Sequence, residues 1–263
     1  MANQELVLIS ALGQAEDKKY YIKDTKDEIY IIDQDMDIVV LDGINAKFLD
    51  RTKNCNIHIM GLKDSSITYY VLNSQSSNRC FDIHGELNVV EISISSTEES
   101  LLIHLLNENA QANVENLSIL TEVSSIYTQR IDHKVGSTYS NIKNVGVAMN
   151  GSNLVFDTTG KIDKGMAKSK CAQLSRGVVM DNISSITAKP ILLIDEYDCF
   201  ANHGASIGKM SDEDLFYLRS RGLTKKQAFL LILEGMVRPF IDSIPNEELK
   251  ESMEKEIMAR IGE

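Results

Sequence analysis

A cysteine and a histidine four positions apart, Cys199 and His203, are the residues best suited by type to hold a metal. A thiolate and an imidazole are both ligands for iron or for an iron–sulfur cluster. On a strand the two side chains would share one face about 13 Å apart, so a neighbouring strand or a second subunit would have to supply further ligands. The simpler interpretation is a buried free cysteine and a histidine that is bonded to the backbone.

A second group with chemical potential consists of Arg130, Asp132 and His133. A carboxylate next to an imidazole can tune a base or orient a metal ligand. Adjacent residues on a strand point to opposite faces, however, so Asp132 and His133 would not meet there. We therefore interpret the group as polar residues at a strand end, with Asp132 pairing with Arg130 on the same face.

The motifs of several common enzyme classes are missing. The sequence has no GxxxxGK[ST] phosphate loop, so we expect no ATP hydrolysis by this chain alone. It also has no GxGxxG after a strand, no HExxH and no GxSxG. A net charge of −11 disfavours contact with nucleic acid and with anionic lipid, so neither is expected as a partner.

Targeting features are also missing. No segment approaches the roughly 20 apolar residues that cross a bilayer. The apolar run from Leu6 to Leu12 has acidic rather than basic flanks and does not resemble a signal peptide, so the sequence predicts a cytoplasmic protein. In a reducing compartment, the four scattered cysteines should remain thiols rather than form disulfides.

The elements that must position these residues are short strands. No proline precedes Pro190, and runs rich in Ile, Val, Tyr and Thr follow one another between clusters of Asn, Asp, Ser and Gly. Several runs alternate apolar with polar residues, which is typical of strands with one buried face. The clearest runs are Ile29 to Ile32, Ile38 to Leu41, Ile57 to Met60, Ile67 to Leu72, Val89 to Ile94 and Leu101 to Leu106.

These strands indicate an all-β region with either of two architectures, a sandwich or a solenoid of stacked strands. The Asn and Gly corners favour a parallel β-helix, but the spacing is irregular and lacks the repeat of about 20 residues that a solenoid should show. The pattern alone leaves the two architectures open. It also leaves open whether Asn107 to Val123 is a strand or a helix.

The character of the sequence changes after Gly208, where three helices are predicted. Ser211 is suited to cap the first helix, and Gly222 is suited to end it. Thr224 and Gln227 have the spacing of a capping box that opens the second helix. Pro239 should kink or end that helix.

The third helix is expected to begin at Pro245, and Leu249, Met253 and Ile257 form a narrow apolar stripe along it. The first helix combines large apolar groups with guanidinium groups, a composition favoured at protein–protein contacts. The residues concerned are Phe216, Tyr217, Leu218, Arg219 and Arg221. The alternative is that they only pack onto the β region.

A series of short motifs lies between Arg130 and Gly235. The motifs are R-x-D-H at 130–133, S-N-x-x-x-x-G-V at 140–147, V-F at 155–156, G-K-I at 160–162, Gln173, P-x-L-x-I at 190–194, H-G-A-S-x-G at 203–208 and L-F-Y-L-x-S-R-G at 215–222. In order and spacing the chain resembles the core of the SufB/SufD family, the scaffold proteins of SUF iron–sulfur cluster assembly.

The resemblance implies a mainly β fold, with a right-handed parallel β-helix over residues 1–210 and a small all-α domain over residues 211–263. It further implies a protein that is not itself an enzyme and that pairs with itself or with a SufB/SufD paralogue through strands of the β-helix. A SufC-like ABC ATPase, which binds the ATP, would dock on the helices. No permanently bound cofactor is expected, but a transient iron–sulfur cluster is possible.

The resemblance also suggests roles for particular residues. His203 matches the interface histidine of SufD-like proteins and, with Ala205, is a candidate for the dimer interface. Cys199, Cys171, Glu196 and His203 are candidate cluster ligands. Candidate contacts to the ATPase are Phe216, Tyr217, Arg219, Arg221 and Phe240.

The chain departs from the family at the thiols. SufD-like proteins often have a cysteine where this chain has Ala201, and the cysteine typical of SufB falls near Ser184. The chain therefore carries no thiol at either of these two family positions. The alternatives are an adaptor that activates the ATPase without handling metal, or a β-helix enzyme acting on carbohydrate, which the scarcity of aromatic residues disfavours.

Overall fold

The computed structural model describes residues 4–210 and 212–262, in which 17 strands form two parallel sheets and three α-helices follow. The odd sheet contains β1 (Glu5–Leu8), β3 (Glu28–Ile32), β5 (Asn45–Asp50), β7 (Ser66–Leu72), β9 (Glu86–Ser93), β11 (Gln111–Thr121), β13 (Tyr139–Met149), β15 (Lys170–Val179) and β17 (Phe200–Lys209). The even sheet contains β2 (Tyr20–Ile22), β4 (Met36–Val40), β6 (Asn56–Gly61), β8 (Asn78–Ile83), β10 (Thr97–Leu105), β12 (Ser124–His133), β14 (Asn153–Ile162) and β16 (Ser185–Ile194). A short 3₁₀-helix, Ile9–Leu12, follows β1.

Successive strands alternate between the two sheets, so one strand from each sheet makes up one coil of the chain. Each strand pairs in parallel with the strand two places away in sequence, as when Ile29 pairs with Lys47 and Tyr139 with Lys170. The second of these pairs spans a much longer piece of chain than the first, so the coils lengthen along the stack. This growth explains why the sequence shows no fixed repeat. The arrangement is consistent with the predicted parallel β-helix. Each of the six predicted apolar runs coincides with a strand, and three of them extend one residue beyond its end.

The space between the sheets is filled by alternate side chains of the strands. Phe48, Tyr69 and Phe81 stack along it, with ring centroids 6.2 Å and 5.0 Å apart, and all three are fully buried. Such rings bury a large apolar area and pack in tilted and edge-to-face arrangements. They join the coils of the amino-terminal half into one core.

The same interior holds a buried group of charges that the strand pattern did not predict. Arg79 Nε donates to Asp50 at 2.7 Å, and another nitrogen of its guanidinium pairs with Glu99. Glu91 is buried nearby and accepts a hydrogen bond from Asn116 Nδ2 at 2.9 Å. Burial and the negative charge of Glu99 raise the pKa of Glu91 to about 8, so this carboxyl remains largely protonated at neutral pH.

The three helices are α1 (Asp212–Ser220), α2 (Lys225–Asp242) and α3 (Glu247–Gly262). Helices α2 and α3 pack on the outer face of the odd sheet, where Leu233 and Val237 join a core with Leu117 and Val145. The helices thus cover the side of the sheet and not its ends. The division of the chain into domains at 210/211 stays a prediction.

Several details of the tail differ from the sequence-based expectation. Helix α2 continues through Pro239 to Asp242, because the packing of its apolar face holds the last turn in place. Pro245 precedes α3, and Asn246 caps that helix by accepting from the Leu249 amide at 3.0 Å. The capping box of Thr224 and Gln227 is confirmed. The predicted cap Ser211 lies outside the described residues.

The sequence pattern did not decide whether the segment from Asn107 to Val123 is a helix or a strand. In the structure this segment contains strand β11. On the third helix, Met253 and Ile257 are buried against the sheet and Leu249 is partly buried, as the stripe predicted. For this helix, the spacing of the apolar residues alone was sufficient to predict which face is buried.

Candidate functional site at the open end of the stack

The last coil, β16 and β17, forms an uncovered end of the stack. In the described residues each of these strands has a ladder partner on one side only, β14 for β16 and β15 for β17. Large apolar side chains remain accessible on both, with Leu193 46% and Phe200 59% exposed. Proteins normally protect such long edge strands because their free N–H and C=O groups invite another strand. This end is therefore a surface suited to a second chain.

His203 lies in this end coil, on the side that faces the interior. It stands opposite Gln173 of β15, whose side chain is buried between the sheets. His203 Nδ1 lies 3.1 Å from the carbonyl oxygen of Pro190 on β16 and donates to it in the neutral ring. No hydrogen bond joins Nε2 to another described residue, so this nitrogen keeps a lone pair at an exposed position.

Cys171 lies one coil deeper, opposite Ala201 and diagonal to His203. It is 2% exposed, and burial raises the pKa of its thiol. Gly160 makes room for it, since a side chain there would collide with Cys171 Sγ. The thiol is thus a neutral group beneath the end coil and not an exposed nucleophile.

Gln173 is a residue of this end whose position the strand pattern did not predict. Its Nε2 donates to the carbonyl oxygen of Ile191 at 3.2 Å, whereas its buried Oε1 has no hydrogen-bond partner. An unpaired buried acceptor is costly. In the sequence, Gln173 is noticeable only through the family resemblance, because its neighbour His203 follows one whole coil later in the chain.

Cys199 and Glu196 lie in the loop that joins β16 to β17. Cys199 Sγ contacts the carbonyl oxygen of Glu196 at 3.1 Å, and burial together with nearby Glu196 and Asp198 raises the pKa of the thiol. Glu196 accepts from the amides of Asp198 at 3.0 Å and Gly165 at 2.7 Å, which lowers the pKa of its carboxyl. The structure brings Cys171, Cys199 and His203 to one end of the stack, while the Glu196 carboxylate is engaged by loop backbone.

The Arg130 to His133 group is separate from this end and is the polar strand-end group that the sequence predicted. Arg130 Nε donates to Asp132 at 2.7 Å on the outer face. His133 points inward, between the hydroxyls of Thr138 at 2.7 Å and Ser140 at 2.9 Å. Burial lowers the pKa of His133 to about 4, so the ring is neutral and structural.

Comparison with known proteins agrees with this arrangement. A family model described as the SufBD core domain of SUF-system iron–sulfur cluster assembly matches residues 31–236. The chain belongs to the SufBD core family. The match includes all four cluster-ligand candidates and every strand from β4 to β17.

Individual SufBD proteins are similar to part of this chain. The iron–sulfur cluster assembly protein SufD of Bacillus subtilis is 33% identical over 132 residues, which are 50% of this chain and 30% of that protein. SufD of Escherichia coli is 26% identical over 161 residues, or 60% and 37% of the two chains. SufD of Plasmodium berghei is 24% identical over 223 residues, or 83% and 16%. The chain thus spans well under half the length of these SufBD relatives.

The predicted ATPase contacts of this SufBD chain divide into exposed and buried residues. Phe216 is 75% and Tyr217 57% exposed on α1, and the Arg221 guanidinium lies 5.3 Å from the centre of the Tyr217 ring. Arg219 is also exposed. Phe240 is 2% exposed and packs against the odd sheet, so we exclude it from the docking surface. None of the described helices has the length and apolar character needed to cross a membrane.

Proposed function

We propose that this chain is a scaffold on which iron–sulfur clusters are assembled in a SUF system, beside a separate SufC-like ATPase that binds the ATP. The observation that carries the proposal is the open end of the stack, where β16 and β17 each lack a partner on one side, His203 lies on β17, and two thiols lie nearby. A cluster needs imidazole or thiolate ligands that it can reach, and this end offers an imidazole and a partly accessible thiol. The proposal includes a cytoplasmic location.

The end coil is proposed as the place where two chains meet. The fold would be a right-handed parallel β-helix, and a second copy of the chain would add its β16 and β17 to the free edges. The two exposed edge strands support this, because strand addition satisfies their N–H and C=O groups. His203 and Ala205 on β17 would then lie at the contact between the copies. Pairing with a SufB/SufD paralogue is the alternative outcome.

The cluster is cargo in this proposal, and the residues differ in how readily they could hold it. The lone pair on His203 Nε2 is available, and Cys199 lies in the accessible loop. Cys171 is buried, so it could serve only if the end coil shifts. Glu196 is the least suitable candidate because both of its oxygens already accept from backbone amides.

The movement that would expose Cys171 is proposed to come from the ATPase. Phe216, Tyr217, Arg219 and Arg221 offer aromatic and guanidinium groups, which are among the types most enriched where proteins bind tightly. Helix α1 directly follows β17 in sequence, so a force on α1 acts at the end coil. This link supports docking at α1 and not at the opposite end of the stack.

Anaerobic loading tests the proposal. Wild-type chain supplied with ferrous iron and inorganic sulfide is expected to gain acid-labile sulfide and the visible absorption of an iron–sulfur cluster. His203→Ala should hold about tenfold less, because a lost ligand weakens metal binding at least as much as a lost partner of a ligand. His84→Ala, at a turn far from the end coil, is the matched control and should load like wild type.

The same experiment distinguishes the scaffold role from the alternative role as an adaptor of the ATPase. A wild-type chain that stays colourless under these conditions but still raises the ATPase activity of its partner would contradict the scaffold role. Equal loading of wild type and His203→Ala would contradict the placement of the cluster at this end.

A further inference from the structure

A second cluster of potential metal ligands lies on the outer face of the even sheet, in its amino-terminal half. His58 on β6 and Cys80 and Asp82 on β8 each offer one ligand atom, and these atoms lie within 4.8 Å of one another. The residues alternate with fully buried Ile59 and Phe81, so their side chains stand on the outer face. All three are partly accessible. This cluster is many strands away from the open end that carries His203.

The parallel register brings this cluster together. Asp37 pairs with His58 and His58 with Cys80, while Asp82 pairs with His104. Chemically active residues that recur once per coil therefore form a ladder across the even sheet. The sequence contained this signal, but the irregular period hid it.

Two further residues hold the potential ligands in position. His58 Nδ1 lies 3.0 Å from Asp37 Oδ1, and His104 Nδ1 lies 2.8 Å from Asp82 Oδ1. Asp37 is also 3.8 Å from the ammonium of Lys19. A carboxylate that accepts from the far nitrogen of a ligand histidine is the usual partner in metal sites, because it fixes the ring and its tautomer.

The contacts of His58 point to a cation between His58 and Asp82. His58 Nε2 lies 3.0 Å from Asp82 Oδ2, so both ring nitrogens face carboxylate oxygens. A neutral imidazole has one N–H only. Once Asp37 accepts that hydrogen, the lone pair of Nε2 and a carboxylate lone pair face each other. The Cys80 sulfur lies beside these two atoms, so a ring nitrogen, a carboxylate oxygen and a sulfur converge on one place where a metal ion can bind all three.

We propose that His58, Cys80 and Asp82 bind one divalent transition-metal ion of the Zn²⁺ or Fe²⁺ class. Imidazole, thiolate and carboxylate together suit these ions rather than Mg²⁺ or Ca²⁺. Binding replaces the Cys80 S–H bond by a sulfur–metal bond and releases one proton to solvent. A tetrahedral ion keeps its ligand atoms about 3.5 Å apart, so His58 Nε2 and Asp82 Oδ2, which are now 3.0 Å apart, would separate slightly to admit it.

Three protein ligands leave at least one position of the ion open. A cavity of about 320 Å³ borders His58 and Cys80 and gives water or a small ligand access to that position. Open zinc sites have three protein ligands, whereas closed structural sites use four. The site is therefore of the open type, in which water or a small ligand completes the coordination of the ion, and not of the closed structural type.

Cobalt titration tests the site in the 263-residue chain. The His203→Ala background removes the histidine of the open end, so that binding there does not obscure the result. After chelator treatment, one Co²⁺ per chain should bind and give the intense thiolate-to-cobalt charge-transfer band, and Zn²⁺ should displace it. Cys80→Ser should lose the band, and Asp37→Asn should weaken binding by about 10–100-fold.

The control variants are Cys55→Ser and Cys199→Ser, which should keep the band. Circular dichroism of each variant checks that the fold is intact. A band that survives Cys80→Ser, or no band at a large excess of Co²⁺ in a folded chain, would overturn the site.

Discussion

Replacing Arg79 with methionine is expected to lower the free energy of unfolding by about 3–5 kcal/mol, the cost of breaking a buried ion pair. The guanidinium is the positive charge that pairs with Asp50 and Glu99, both buried between the sheets. Its Nη2 also donates to Ser74 Oγ at 2.6 Å. Methionine fills part of the space but leaves two carboxylates without a counter-charge.

Urea unfolding followed by circular dichroism measures this loss. Lys47→Ala is the matched control, because Lys47 is 3.8 Å from Asp27 in an exposed pair, and such pairs contribute about 1 kcal/mol or less. A change below about 1 kcal/mol in Arg79→Met would show that the carboxylates take up protons at little cost, and that the buried charges do not stabilise the stack.

Replacing Leu193 with lysine is expected to separate the two chains of the proposed pair. Leu193 stands on β16, and burying a leucine contributes about 1.5–3 kcal/mol. Leu193 is 46% exposed, so a twofold contact would bury the remaining half of it in each copy; this loss and the two introduced charges should raise the dimer dissociation constant by about 10–100-fold. Light scattering coupled to size exclusion reads the mass directly.

The opposite end of the stack provides a control of equal exposure. Leu8 on β1 is also 46% exposed on an edge strand, so Leu8→Lys adds the same charge to a similar surface. It should leave the mass unchanged. The proposed pairing fails if Leu8→Lys separates the chains and Leu193→Lys does not.

The strands could be predicted from the sequence because each depends on local alternation. Ile57, Ile59 and their neighbours show the period of two, and no long-range information is needed to place them. The sheet order could not be predicted in the same way. Pairing partners are separated by one whole coil of the chain, and the change in coil length along the stack removes the repeat that would reveal them.

The helical tail shows where local rules reach their limit. The capping box at Thr224 follows from hydrogen bonds within four residues, so it was predictable. The continuation of α2 through Pro239 depends on contacts with the odd sheet. The burial of Phe240 has the same origin, and this is why a residue expected to contact the ATPase lies in the core.

The candidate site was predicted in its members but not in its geometry. Cys199 and His203 were suggested by residue type, and their shared end of the stack is set by the register of β15 with β17. Glu196 accepts hydrogen bonds from two loop amides, and one of these belongs to Gly165 in the preceding coil. A local sequence pattern cannot predict such a contact. The ladder through His58 and Asp82 was missed for the same reason.

The proposed function depends most on two chains meeting through β16 and β17 near His203. Distances between spin labels, measured by pulsed electron paramagnetic resonance, test this pairing. The four native cysteines are replaced by serine, and a single cysteine for the label is introduced at Ser206 or at Asp24. Nine strands about 4.8 Å apart make the stack about 40 Å long. End-to-end pairing predicts about 20 Å between labels at residue 206 and about 80 Å at residue 24. Similar distances at both positions, or a short distance at residue 24 alone, would contradict the pairing.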